Sequence, residues 1–265
     1  MSRRVAEAFA EAAAQNRAAL IGYLPAGFPN PELSVRLFNA MVASGVDIIE
    51  VGLPYTDPLM DGPVIQQAVN QALDAGTHTD VVLDIVRQIT EAGATAVIMS
   101  YWNPIERFGV ERFAAGLEAA GGTGVIAPDL TPEESGDWAV ACDAHGIDRI
   151  FMVAPSSTPA RIDAIVRATS GFVYAASTMG VTGVRTSVSS GAGDLVARTR
   201  ELTDLPIAVG LGVSTAEQAA EVAAYADGVI VGSAFVRRVL DAPDGEAAVA
   251  AVSDLARELA AGVRR

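Results

Sequence analysis

Three carboxylates crowd one short segment, I-I-E-V-G-L-P-Y-T-D-P-L-M-D-G-P-V-I-Q-Q over residues 48–67. Glu50 sits near the far end of an apolar run, and Asp57 and Asp61 follow in a loop carrying Pro54, Pro58 and Pro63. An acid inside an oily strand loses hydration when ionised, so it holds its proton to higher pH. Burial predicts a pKa for Glu50 toward roughly 6–7, where one carboxyl can both give and take a proton. The rival reading is a structural glutamate neutralised by an arginine, since buried ion pairs also perturb carboxylates. No arginine lies in the strand segments on the side where Glu50 would emerge, which favours chemistry. Asp57 and Asp61 beside Pro and Gly also fit ordinary turn chemistry. The three prolines restrict the loop before it folds, which would help hold an acid over a pocket.

Far downstream lie three glycine-bearing segments: G-V-T-G (180–183), G-L-G-V-S (210–214) and G-S-A (232–234). Glycine lets backbone N–H groups approach an anion, and a helix N-terminus adds favourable partial charge. A phosphate could thus be held by amides and Ser233 without a cationic side chain. Tyr23, Met99, Tyr101 and Met152 fall at or near expected strand ends and could line the space between, although residues of this type are most often simply core.

The inventory narrows the chemistry further. All 18 basic residues are arginine, so Schiff-base formation and covalent pyridoxal attachment are closed to this chain. The only histidines, His78 and His145, stand far apart, which leaves little for a catalytic metal site, and no metal is expected. The lone Cys142 excludes an internal disulfide, fits a reducing cytoplasm and reads as a buried helical residue. A formal charge of −14 argues against nucleic acid or an anionic membrane as partner. No segment reaches the roughly 20 apolar residues of a membrane span, and Glu7 and Glu11 interrupt any signal-like stretch after Arg3 and Arg4.

The elements that must position these groups alternate along the whole chain. Near-continuous apolar runs predict strands at Ala19–Leu24, Val46–Leu53, Ala96–Tyr101, Gly124–Pro128, Arg149–Val153, Phe172–Ala176, Pro206–Gly210 and Gly228–Val231. Helix starts are marked at Asn30-Pro31-Glu32, Thr131-Pro132-Glu133 and Thr158-Pro159, with a capping box from Ser214 to Glu217. Gly45, Gly93 and Gly146 close helices. Residues 1–16 predict an extra N-terminal helix, and Ala247–Val263 a final amphipathic one. Eight β-then-α units without a long linker predict an α/β fold, a single (β/α)₈ TIM barrel domain over residues 1–265. An open doubly wound sheet is the rival, but the first βα turn lacks the glycine fingerprint of a dinucleotide site. The connections Pro54–Thr79 and Ser177–Ser190 are long enough to suggest lids over the catalytic face. Alternation along the second strand places Glu50 on the face of Ile48. Tyr174 on the sixth strand would meet Glu50 across the barrel, near its C-terminal mouth.

At these residues the chain resembles the tryptophan synthase alpha chain family over roughly residues 15–260, most specifically in E-V-G-L-P-Y-T-D-P-L-M-D-G-P-V-I-Q. The resemblance implies a barrel that cleaves indole-3-glycerol phosphate to indole and glyceraldehyde 3-phosphate. It implies Glu50 as acid and base, Asp61 facing the indole nitrogen, and Tyr174 near the reacting carbon. Thr182 would contact the second carboxylate on closure, and Gly183, Leu211, Gly212, Gly232 and Ser233 would bind phosphate. Asp57 matches an acid near the contact with the beta chain. No cofactor is implied in this chain, with pyridoxal phosphate expected in a partner beta chain of an αββα assembly. Leu211 stands where many members have phenylalanine, Thr178 where arginine is frequent, and P-Y-T-D where P-F-S-D is common. Two alternatives stay open at this stage: a phosphosugar isomerase on the same phosphate-binding barrel, and a non-catalytic barrel that regulates a partner.

Overall fold

The computed structural model describes residues 4–176, 191–210 and 212–264. Helix α1 (Val5–Ala14) comes first, and β1 (Ala19–Pro25), α2 (Pro31–Ala43) and β2 (Ile48–Gly52) follow. Then come α3 (Pro63–Asp74), α4 (Thr79–Glu91), β3 (Ala96–Met99), α5 (Trp102–Phe108), α6 (Val110–Ala119) and β4 (Gly124–Ile126). A 3₁₀ turn (Pro132–Glu134) precedes α7 (Gly136–His145), β5 (Asp148–Ile150), β6 (Met152–Val153), α8 (Pro159–Ala168) and β7 (Val173–Ala176). The last are α9 (Gly191–Arg200), β8 (Ile207–Gly210), α10 (Ala216–Ala223), β9 (Gly228–Val231), α11 (Ser233–Leu240) and α12 (Gly245–Gly262).

The strands are parallel in the order β5-β4-β3-β2-β1-β9-β8-β7-β6. Only Phe151 separates β5 from β6, so the two ends of that order are one stretch of chain. Its first half pairs with β4 and its second half with β7. The ring therefore closes through a fifth strand split at one residue, so the expected barrel shows nine short strands among the described residues where eight were anticipated.

Two apolar layers follow from the period of two along each strand. Ile21, Ile48, Val97, Ile126, Ile150, Ala208 and Ile230 point inward and pack together. Leu20, Ile49, Val51, Ile98, Val125 and Val209 point outward to the helices. Helix α1 presents Val5, Ala8, Phe9 and Ala12, one apolar stripe at helical spacing, to the inner layer. Its Phe9 ring lies 5.4 Å from Phe172, just ahead of β7. The extra helix thus seals the end of the barrel opposite the mouth.

Most of the marked helix ends hold. Asn30 and Thr158 accept from the N–H of Leu33 and Arg161, each ahead of a first-position proline. Gly45, Gly93 and Gly146 take positive φ after α2, α4 and α7. Three expectations need correction. Thr131-Pro132 starts a 3₁₀ turn, and α7 begins only at Gly136. The cap of α10 is Thr215, whose side chain accepts from Gln218 N–H while Gln218 Oε1 accepts from Ser214 N–H, so the box is shifted one residue. The connection Pro54–Thr79 is not all loop but contains the 12-residue helix α3, which a first-position proline and the buried set Ile65, Ala68, Val69 and Ala72 would have revealed. The connection Ser177–Ser190 lies outside the described residues.

Candidate active site

Ile48 lies in the inner layer, so Glu50, two residues on, also points inward and is 2% exposed. Its Oε2 is buried with no hydrogen-bond partner among the described residues. Burial alone pushes its pKa up to about 8. No arginine among the described residues enters the balance, which speaks against a structural ion pair. The value exceeds the roughly 6–7 expected of tuned glutamates because nothing offsets the lost hydration. Glu50 is therefore mainly a neutral acid at pH 7.

Glu50 pairs in register with Tyr23 on β1 and Val97 on β3. Tyr174 pairs with Met152 on β6 and Ala208 on β8. Met99, Met152 and Tyr174 pack on the inner layer from the mouth side, where Tyr23 also stands. Desolvation, then the nearby Glu50 charge, raises the Tyr174 hydroxyl well above the usual phenol range. Desolvation likewise raises Tyr23, helped by Asp61 and then Glu50. The two tyrosines and two acids thus share one space.

Asp61 is half-buried on the loop leading into α3, and the hydroxyl of Tyr101 holds it there. That oxygen accepts from Met60 N–H at 2.9 Å and donates to Asp61 Oδ1 at 3.2 Å. Desolvation raises the Asp61 pKa while the Tyr101 bond opposes the rise. Tyr101 itself is pushed up to about 12, chiefly by burial, so it remains a donor. The ring of Tyr55 leans on it at 5.6 Å. Asp57 stands apart, exposed and bonded to Thr56 Oγ1 at 2.5 Å, beside the 73% exposed Leu59. It takes no part in the pocket.

Two strands from Glu50 around the ring, beyond β1, β9 ends at Val231 and α11 starts at Ser233, with Gly232 between. Ser233 is buried at the first position of this helix, where unspent backbone N–H groups collect. Gly212 adopts φ 71°, which a side chain would strain. Thr178, Thr182, Gly183 and Leu211 lie outside the described residues. Gly210, read from sequence as part of the anion cradle, has another task. An ideal Cβ there would stand 2.4 Å from Tyr174 Oη, so the glycine is the seat of that ring. Gly52 seats Tyr23 in the same way, a role that the sequence reading missed. Each glycine lies two residues beyond the register partner of its tyrosine, a relation that only strand pairing sets. Cys142 is buried in α7 with its thiol pushed up to about 12, an inert core residue as expected. Among the described residues no helix is long and apolar enough to cross a membrane.

A raised acid two strands from an amide-lined helix start at one barrel mouth suits proton transfer on a phosphorylated, partly apolar molecule. Many known proteins are similar to this chain. A tryptophan synthase alpha chain from Thermobifida fusca is 62% identical over 258 residues, covering 96% of each chain. One from Acidothermus cellulolyticus is 59% identical over 261 residues, covering 98% of this chain and 97% of that one. The solved Mycobacterium tuberculosis tryptophan synthase superposes with a TM-score of 0.94 at 51% identity, with both chains fully covered. The alpha subunit from Legionella pneumophila gives 0.90 at 32% identity and 99% of each chain. The family profile described as tryptophan synthase alpha chain matches residues 9–264, and the chain belongs to that family.

Proposed function

We propose that Glu50, Asp61 and Tyr174 carry out the reaction of this family in the present chain, cleavage of indole-3-glycerol phosphate to indole and glyceraldehyde 3-phosphate in tryptophan biosynthesis. The observation that carries the proposal is Glu50: inward, at the mouth, without a cation among the described residues, and protonated near neutrality. Breaking the bond between indole C3 and the glycerol chain needs an electron sink. With no lysine to form a Schiff base, the heterocycle serves. Glu50 gives its proton to C3, making an indolenine whose N–H faces the Asp61 carboxylate. Glu50, now a carboxylate, takes the proton from the side-chain hydroxyl. The C–C bond opens, its electrons restore the indole, and Glu50 ends protonated as it began. Tyr174 stands near the reacting carbon. Tyr23, Met99 and Tyr101 line the pocket, and Thr182 takes the place of the family's threonine that serves Asp61. Gly183, Leu211, Gly212, Gly232 and Ser233 hold the phosphate through amides and one hydroxyl, which suits a lysine-free chain of charge −14.

Free indole is apolar and would escape, so a receiving partner makes chemical sense. We assign residues 1–265 to one barrel domain working in a cytoplasmic αββα assembly. Pyridoxal phosphate belongs to the beta chain, and the exposed loop carrying Asp57 and Leu59 offers a docking face. The test is indole release from indole-3-glycerol phosphate by wild type and Glu50→Gln, each with and without a beta chain. Loss of at least roughly 10²–10⁴-fold is expected for the variant. Release at the wild-type rate by Glu50→Gln would sink the assignment. Turnover of a phosphosugar in place of the indole substrate would favour an isomerase.

A further inference from the structure

Tyr23 enters the mechanism above only as lining, yet its phenol oxygen has a defined place. It pairs in register with Glu50, and its ring leans over the neighbouring strand β2. An ideal Cβ on Gly52 would stand 2.6 Å from Tyr23 Oη and 2.7 Å from Cε2, while one on Gly232 would stand 3.3 Å from Cδ1. Gly52 is the next inward position after Glu50, roughly 6.6 Å along the strand toward the mouth. The hydroxyl therefore stands just above the catalytic acid, on the side where Asp61 enters. The root of the same ring rests against Gly232, where the phosphate cradle begins. One phenol thus spans the wall from the anion site to the acids. A lining role needs only the ring, whereas the missing side chain at Gly52 makes room for the oxygen itself. Burial, then Asp61 and Glu50, hold its proton on far above the usual phenol range, so it is a donor and never a base at working pH.

We infer that the Tyr23 hydroxyl is a further catalytic group, donating a hydrogen bond to the substrate oxygen on the carbon that leaves the indole ring. The inference rests on the reaction proposed above. In that step the oxygen loses its proton to the Glu50 carboxylate, the C–C electron pair passes into the indolenine, and the C–O bond becomes a carbonyl. Negative charge gathers on the oxygen during the transfer. A donor fixed beforehand stabilises it without joining the proton balance.

The test is Tyr23→Phe in the full chain, which keeps the ring on its seat and removes one oxygen. The kcat for indole release is expected to fall about 10- to 100-fold, with KM changed less than about threefold. Affinity for an analogue joining indole to phosphate through a three-carbon chain without hydroxyls should stay unchanged, because it offers no oxygen to meet. An unchanged kcat overturns the role, and so does an analogue affinity that falls in step with kcat, which would mark a packing residue. Wild-type indole release is the separate control. Its absence sinks the reaction itself, whereas an active wild type and an equally active Tyr23→Phe sink only the hydroxyl's part.

Discussion

Replacing Glu50 by Gln should disable this protein while shifting its stability, relative to wild type, upward as pH rises in a calculable way. In the folded chain Glu50 holds its proton to about pH 8, against an ordinary value of 4.5. Between those values the folded state binds more protons than the unfolded one, so stability falls as pH rises through that window. One pKa unit is worth about 1.4 kcal/mol. The penalty is small at pH 5, grows through pH 7 and is complete above the folded pKa. From pH 5 to pH 8 it amounts to roughly 3–4 kcal/mol, undiminished by solvent because the group is buried. Gln cannot ionise, so the variant should escape this slope. Its buried amide can lack partners, which costs about 1–3 kcal/mol but equally at every pH. Urea denaturation of both proteins at pH 5, 6, 7 and 8 reads the difference directly. The stability gap should move in favour of Gln by roughly 3–4 kcal/mol across that range. Curves that stay parallel within about 0.5 kcal/mol would refute the claim that Glu50 titrates unpaired in the core. In the same window, wild-type kcat/KM for indole release should decline tenfold per unit above about pH 8, as the acid form is lost.

Tyr101→Phe removes the oxygen that bridges Met60 N–H and Asp61. Indole release should fall about tenfold and stability by about 1 kcal/mol, read by initial rates and thermal melts; unchanged rates would show that Asp61 needs no such anchor. His145 lies between Glu118 at 2.7 Å and Glu111 at 2.7 Å, and these bonds raise its pKa above 6.5. Its contribution is fully present below pH 6.5 and is lost as pH rises through the raised folded value. His145→Gln should remove that slope from melting curves taken between pH 5 and 9, and an unaltered slope would place its origin elsewhere.

Several features could be read from residue order because they are local. The apolar runs and the capping pairs at Asn30 and Thr158 determine where elements begin, since strand patterning and first-turn hydrogen bonds involve neighbours in the chain. The inward direction of Glu50 followed from that of Ile48 by the same period of two. Errors arose where two local signals competed. Ser214 and Thr215 are both good caps, and packing of α10 chose the second. Pro63 reads with Pro54 and Pro58 as part of one stiffened loop, yet it is the first residue of a helix whose apolar stripe is buried. The break at Phe151 has no local signature, because it arises from closing the ring between β4 and β7.

By itself, the sequence determined the strand–helix alternation, the absence of amine chemistry and the presence of an acid where a strand should be apolar. Each is a property of residue type or of spacing over a few positions. Only the tertiary structure decided that no arginine among the described residues reaches Glu50, that Tyr101 anchors Asp61 from about forty residues away, and that Gly52 and Gly210 seat two tyrosines. Those facts depend on which strands become neighbours and how far a side chain leans across them. They are set by closure of the barrel, which joins residues that the chain itself keeps far apart.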